Sequence, residues 1–129
     1  MDKKIIFTSK APAPIGPYSQ AVVSGNTLYL SGQIAINPST NELCVDSITQ
    51  ETEQVMENIK AVLEAAQASF ESVNKVTIFI KDMNQFAQIN EVYGRYFKNE
   101  TAPARETVQV AALPKNVNIE ISLIATLSS

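Results

Sequence analysis

The chain contains no histidine and no tryptophan, and Cys44 is its single cysteine. Without histidine, the common Ser-His-acid and Cys-His arrangements are excluded, as is any zinc site built from His and Cys ligands. One thiol excludes an intrachain disulfide and reads as a small half-buried or surface loop residue. Basic clusters are missing too. Ten Lys and Arg against 13 Asp and Glu give a formal net charge of −3, and Lys3-Lys4 is the only adjacent basic pair. A nucleic-acid binder draws much of its affinity from a basic stripe that neutralises phosphates, so no nucleic-acid partner is expected. No apolar run approaches the roughly 18 residues that span a bilayer. Ile5, Ile6 and Phe7 are too few for the apolar core of a secretory signal, so a cytoplasmic location without membrane attachment is expected. Any chemistry must come from carboxylates, Tyr, Lys, Arg, backbone groups and water.

Of the 129 residues, 45% are apolar and 18% charged, the balance of an ordinary globular domain. No repeat or linker divides the chain, so residues 1–129 read as one domain. A short strand over residues 4–7 precedes APAPIGPYSQ, whose prolines forbid a helix and place Tyr18 on a stiff loop. Strands over 19–24 and 27–34 are joined by Gly25-Asn26, a two-residue hairpin signal. After a loop over 35–46, Ser47 to Gln50 fits a reciprocal capping box. It opens a helix with Ile48, Val55, Ile59, Val62, Leu63 and Ala66 on one face. Val76, Ile78 and Ile80 mark one side of a strand over 73–81. A second helix over 83–98 places Phe86, Ile89, Tyr93, Tyr96 and Phe97 at helical spacing, where they read as core. Strands over 106–111 and 117–127 close the chain. This order predicts an α+β fold: a single mixed β-sheet with both helices packed on one face.

Alternation suggests a functional face. In the last strand Val117, Ile119, Ile121 and Leu123 should lie beneath the helices, turning Asn118, Glu120, Ser122 and Ile124 the other way. If Val108 and Val110 also face the helices, Arg105, Thr107 and Gln109 share the helix-free side with Glu120. An arginine fork binds a carboxylate bidentately, a glutamate orients water or moves a proton, and a glycine such as Gly32 lets a ligand approach the backbone. Such a set suits a small carboxylate-bearing substrate attacked by water. From spacing alone the ordinary reading comes first: a cross-strand Arg–Glu ion pair of modest structural value. Ile124, on a face without helices, also calls for a partner surface.

IGPYSQA (15–21), YLSGQIA (29–35), INEVYGRYF (89–97), PARETVQV (103–110) and LPKNVNIEI (113–121) occur in that order. Together they resemble the RidA/YjgF family of reactive-intermediate deaminases, also called endoribonuclease L-PSP or translation-inhibitor proteins. The resemblance implies a chorismate-mutase-like fold and a homotrimer with sites in the clefts between subunits. It implies a cofactor-independent 2-iminobutanoate/2-iminopropanoate deaminase, which hydrolyses 2-imino acids to 2-keto acids and ammonia. By the same resemblance Arg105 clamps the substrate carboxylate and Glu120 stands near the attacking water. Tyr18, Gly32, Thr107 and Asn90 line the pocket. Three residues depart from the family pattern. Thr107 stands where many members carry cysteine, which bears on substrate preference. Gln67 stands where a glycine commonly ends the helix, and Ser122 replaces a frequent second glutamate. A non-catalytic 2-keto acid-binding or regulatory protein is the alternative, with an endoribonuclease or translation inhibitor a third reading.

Overall fold

Gly25 takes φ of +61°, a conformation open to glycine without strain, and Ser24 pairs directly with Thr27. The expected two-residue hairpin therefore forms. The computed structural model describes residues 2–128. Along the chain lie β1 (Lys3–Ile6), β2 (Ala21–Ser24), β3 (Thr27–Gln33), α1 (Ile48–Ala65), β4 (Val73–Ile80), α2 (Phe86–Tyr93), β5 (Ala104–Gln109) and β6 (Ile119–Thr126). The six strands form one sheet in the order β1-β2-β3-β6-β4-β5. The β4–β5 pair is parallel and the other pairs are antiparallel, so the sheet is mixed as expected. Both helices are crossovers: α1 carries the chain from β3 to β4, and β6 later slots between them. α2 joins β4 to its parallel neighbour β5.

One face of the sheet carries the core. Val55, Ile59 and Val62 of α1 and Ile89 of α2 are fully buried with Val76, Ile78, Ile80, Ile119 and Ile121. Both helices thus lie on that face, each such side chain contributing about 1.5–3 kcal/mol. No helix among the described residues is long and apolar enough to cross a membrane.

Helix ends depart from expectation. Ser47 Oγ accepts the Gln50 N–H at 3.1 Å, but no return bond from the Gln50 side chain is formed among the described residues, so the cap is one-sided. At the far end the Gln67 N–H donates to the Glu64 carbonyl and the Ala68 N–H to the Leu63 carbonyl, at 2.9 and 2.8 Å. This terminating motif prefers glycine at its left-handed position, where Gln67 sits at φ of +61°. The second helix is shorter than expected. Residues 83–85 form a 3₁₀ turn, and after Tyr93 the Arg95 and Tyr96 amides bond three residues back, to Val92 and Tyr93, tightening the last turn. Tyr96 and Phe97 nevertheless pack as core, each with its ring centroid 5.2 Å from that of Phe70. β5 begins two residues earlier than expected, and β6 two residues later.

The second face has no helix over it among the described residues. Ile5, Val22, Tyr29 and Ile124 stand directly opposite one another across β1, β2, β3 and β6. Ile5, Tyr29 and Ile124 remain 53%, 50% and 37% exposed, which makes an apolar row rather than scattered residues.

Candidate functional site

The register of β5 decides where the arginine points. Arg105, Thr107 and Gln109 pair with Val76, Ile78 and Ile80, the β4 residues buried beneath the helices. Cross-strand partners share a face, so Arg105 and Thr107 lie on the helix side. Their contacts agree. Arg105 Nη1 donates to Asn90 Oδ1 on α2 at 2.7 Å, and Gln109 Oε1 accepts the Met83 N–H at 2.8 Å. Glu106 takes the other face, 3.2 Å from Lys75 Nζ. Glu120 pairs with Phe79, whose strand neighbours Ile78 and Ile80 are fully buried, and so lies on the open face.

The expected convergence of Arg105, Thr107 and Glu120 on the helix-free side is therefore wrong for a single chain. The error came from orienting β5 by Val108 and Val110. Val108 lies on the open face beside Phe79 and is 42% exposed, because that face is itself partly apolar. On this edge strand the helix side carries Arg105, Thr107 and Gln109 and the apolar Val108 faces outward, so hydrophobicity alone orients it the wrong way. The same register excludes a direct cross-strand Arg105–Glu120 ion pair.

Two half-sites result. The first lies between α2 and β5 and is walled by Asn90, Tyr93, Gly94, Phe97, Pro103 and Arg105. The Arg105 guanidinium carbon sits 4.9 Å from the Tyr93 ring centroid and 5.5 Å from that of Phe86, a cation–π contact. Thr107 lies on the same face of β5, and its Oγ1 is buried without a hydrogen-bond partner among the described residues. Burial pushes the Tyr93 hydroxyl pKa up to about 12 against the opposing pull of the Arg105 charge.

The second half gathers Pro12, Ile15, Tyr18, Gly32, Pro114 and Glu120. A bulge positions it. Between Leu30 and Gln33 the pairing of β3 with β6 slips, so Ser31 and Gly32 together occupy the place opposite Ser122. Glu120 then folds across Gly32. A Cβ on that glycine would meet Glu120 Oε2 at 2.6 Å and Cδ at 2.8 Å. The glycine thus admits the catalytic candidate itself, a role not anticipated from sequence. Burial raises the Glu120 pKa above the usual carboxylate value. Tyr18, 50% exposed, stands at the rim, its N–H bonded to the Gly16 carbonyl at 2.8 Å.

Three supporting residues escaped the sequence reading. Gln20 is buried, and its Nε2 donates to the Thr8 and Pro12 carbonyls at 3.0 and 2.9 Å while its Oε1 accepts the Thr8 N–H. It posts the proline-rich segment that leads to Tyr18. Glu51, fully buried, accepts the Asn118 N–H and Nδ2–H, both at 2.7 Å, and anchors the start of β6 two residues before Glu120. Tyr93 reads as core from the aromatic pattern, and its spacing of three from Asn90 is the signal that the two share a helix face.

Of the six predicted site residues, then, Asn90 and Arg105 wall one half, with Thr107 on the same face of β5, and Tyr18, Gly32 and Glu120 line the other. Comparison with known proteins gives the arrangement its context. A RutC family protein of Pyrococcus horikoshii is 56% identical over 123 residues, covering 95% of this chain and 97% of its own. A Dermatophagoides farinae protein named 2-iminobutanoate/2-iminopropanoate deaminase is 51% identical, with 97% of each chain covered. A solved structure from Thermotoga maritima superimposes with a TM-score of 0.94 at 52% identity, covering 98% of each chain. Residues 8–127 match the Endoribonuclease L-PSP family, and the chain belongs to this family, that of the RidA/YjgF proteins.

Proposed function

We propose that the protein is a cofactor-independent deaminase that hydrolyses 2-imino acids, such as 2-iminobutanoate and 2-iminopropanoate, to 2-keto acids and ammonia. The observation that carries this reading is the pairing of a restrained guanidinium with a desolvated carboxylate in one small chain. Arg105 grips the substrate carboxylate, with Asn90 occupying one of its N–H groups and leaving the rest of the fork for the ligand. Thr107 and Tyr18 hold the remainder. Glu120, resting on Gly32, orients water onto the imine carbon and accepts its proton. It returns a proton to nitrogen, and the carbinolamine collapses to keto acid and ammonia. Its raised pKa suits a group that both takes and gives a proton. The imine is intrinsically reactive, so positioning supplies most of the acceleration.

The half-sites lie on opposite faces, so the working site is assigned to a cleft between copies. One subunit brings Arg105, Asn90 and Thr107, and its neighbour brings Tyr18, Gly32 and Glu120, in a homotrimer. The uncovered apolar row on the open face supports this assignment. One observation favours a second reading. The Arg105 half is assembled within a single chain, as a 2-keto acid-binding regulatory protein would require. An endoribonuclease is disfavoured by the net charge of −3.

The test follows keto-acid release from freshly generated 2-iminobutyrate. Wild-type protein should accelerate it and Arg105→Ala should abolish the acceleration. No acceleration by the wild type removes the enzyme reading, and 2-ketobutyrate binding through Arg105 without turnover establishes the regulatory one.

A further inference from the structure

An arginine at a sheet edge ordinarily samples many rotamers, and fixing one when a ligand binds weakens affinity. Arg105 is exposed to solvent, yet three residues of α2 restrain it before any ligand arrives. Phe86, Asn90 and Tyr93 stand at i, i+4 and i+7, so one stripe of the helix builds the whole cradle. We propose that Tyr93 is a positioning residue for the Arg105 clamp, its ring carrying the guanidinium and its hydroxyl available to fix the rotation of the fork once a carboxylate binds. The inference rests on the reading of Arg105 as the receptor for the substrate carboxylate.

Two features separate Tyr93 from an ordinary core aromatic. Only 6% of the residue is exposed, and its hydroxyl is buried without a hydrogen-bond partner among the described residues, the Arg105 guanidinium being the neighbour that pulls its pKa back down. Phenylalanine would fill the same space without desolvating a hydroxyl, so packing alone gives no reason for tyrosine. The ring also faces the cleft that Asn90, Pro103 and Arg105 enclose. Asn90 takes one N–H of the guanidinium, and a carboxylate takes two more in bidentate binding. The free lone pairs of the hydroxyl, which stays protonated at neutral pH, are then available to an N–H that neither of them uses.

The experiment compares wild type, Tyr93→Phe and Tyr93→Leu as full-length purified proteins. It reads 2-iminobutyrate turnover, calorimetric binding of 2-ketobutyrate and the thermal midpoint. Tyr93→Leu should raise KM and the 2-ketobutyrate Kd together by about tenfold, with kcat within about twofold of wild type. Tyr93→Phe should recover most of that loss, keeping a rise of about threefold, with a thermal midpoint equal to or above wild type. A folded Tyr93→Leu with wild-type KM and Kd overturns the proposal, as does a loss confined to kcat. If Tyr93→Leu does not fold, Tyr93→Phe decides alone, and wild-type KM and Kd there overturn it. Should the wild type turn over no imine, the deaminase reading fails while the 2-ketobutyrate Kd series still judges Tyr93. Wild-type protein that binds no 2-ketobutyrate overturns the clamp and the proposal with it.

Discussion

Replacing Gly32 with alanine should remove activity while leaving the fold at least as stable. The φ of Gly32 is not in the left-handed region, so alanine fits the backbone, and Gly→Ala at a compatible position stabilises by about 0.4–1 kcal/mol through the unfolded chain. What the new methyl meets is Glu120, at 2.6 Å from Oε2 and 2.8 Å from Cδ. To reach ordinary contact at 3.4 Å the carboxylate must retreat by about 0.8 Å, and it is free to do so because it is the end of a flexible side chain. A displacement of that size in a group that places water costs on the order of 100-fold in kcat.

The pH dependence sharpens the same prediction. Burial raises the folded pKa of Glu120 above its unfolded value. The folded carboxyl therefore resists ionisation, and the stability penalty is absent below the unfolded pKa and complete above the folded one. Alanine at 32 pushes the carboxylate toward water and lowers that pKa. Relative to wild type, the variant should gain stability as pH rises through this window, and the acid limb of its residual activity should move to lower pH. Turnover of 2-iminobutyrate across pH, with a thermal melt at each value, reads both effects. Undiminished kcat, or a melt lowered by several degrees at neutral pH, refutes the reasoning.

Three other perturbations test the supports. Gln67→Gly relieves a left-handed non-glycine residue and should stabilise by about 1 kcal/mol, raising the thermal midpoint by about 4 °C. A lower midpoint would show that the helix end is not strained. Glu51→Ala strips acceptors from the Asn118 N–H and Nδ2–H and should cost about 3 kcal/mol in urea unfolding, with Glu51→Gln recovering part. An unchanged urea midpoint counts against that anchor. Ile124→Arg should leave the far-ultraviolet spectrum intact while converting a sedimenting oligomer to an inactive monomer. A wild type that is already monomeric at micromolar concentration removes the case for a site between subunits.

The sequence was legible wherever one physical signal acted alone. Gly25-Asn26 could close only a short hairpin, and the alternation in β6 named its buried residues because one side is wholly apolar. Legibility failed where two signals competed. The aromatics after Tyr93 extended the helical pattern, yet the backbone had already tightened and only the side chains continued into the core. Glu51, Asn58 and Gln20 are buried polar residues whose partners lie on distant segments, so no local pattern marks them. Tyr93 was visible as an apolar ring at helical spacing, but the cation it supports comes from another element.

The site failed in a more informative way. The six candidates divide between the two faces of the sheet, and their expected grouping on one face was wrong. Arg105 is on β5, the sheet edge, while Glu120 is on β6, with β4 between them. Two strand spacings separate them by roughly 10 Å along the hydrogen-bonding direction, and the thickness of the sheet adds to this because they lie on opposite faces. A three- or four-carbon imino acid held by its carboxylate at Arg105 cannot present its imine carbon to a water at Glu120 of the same chain. Either the two groups serve different ends, or the Arg105 of one copy meets the Glu120 of another. The first option leaves unexplained why Glu120 is desolvated over a glycine, since an exposed carboxylate needs no such seat. The second would use that seat, and an assembly that also covered the apolar row of Tyr29 and Ile124 would account for both with a single interface.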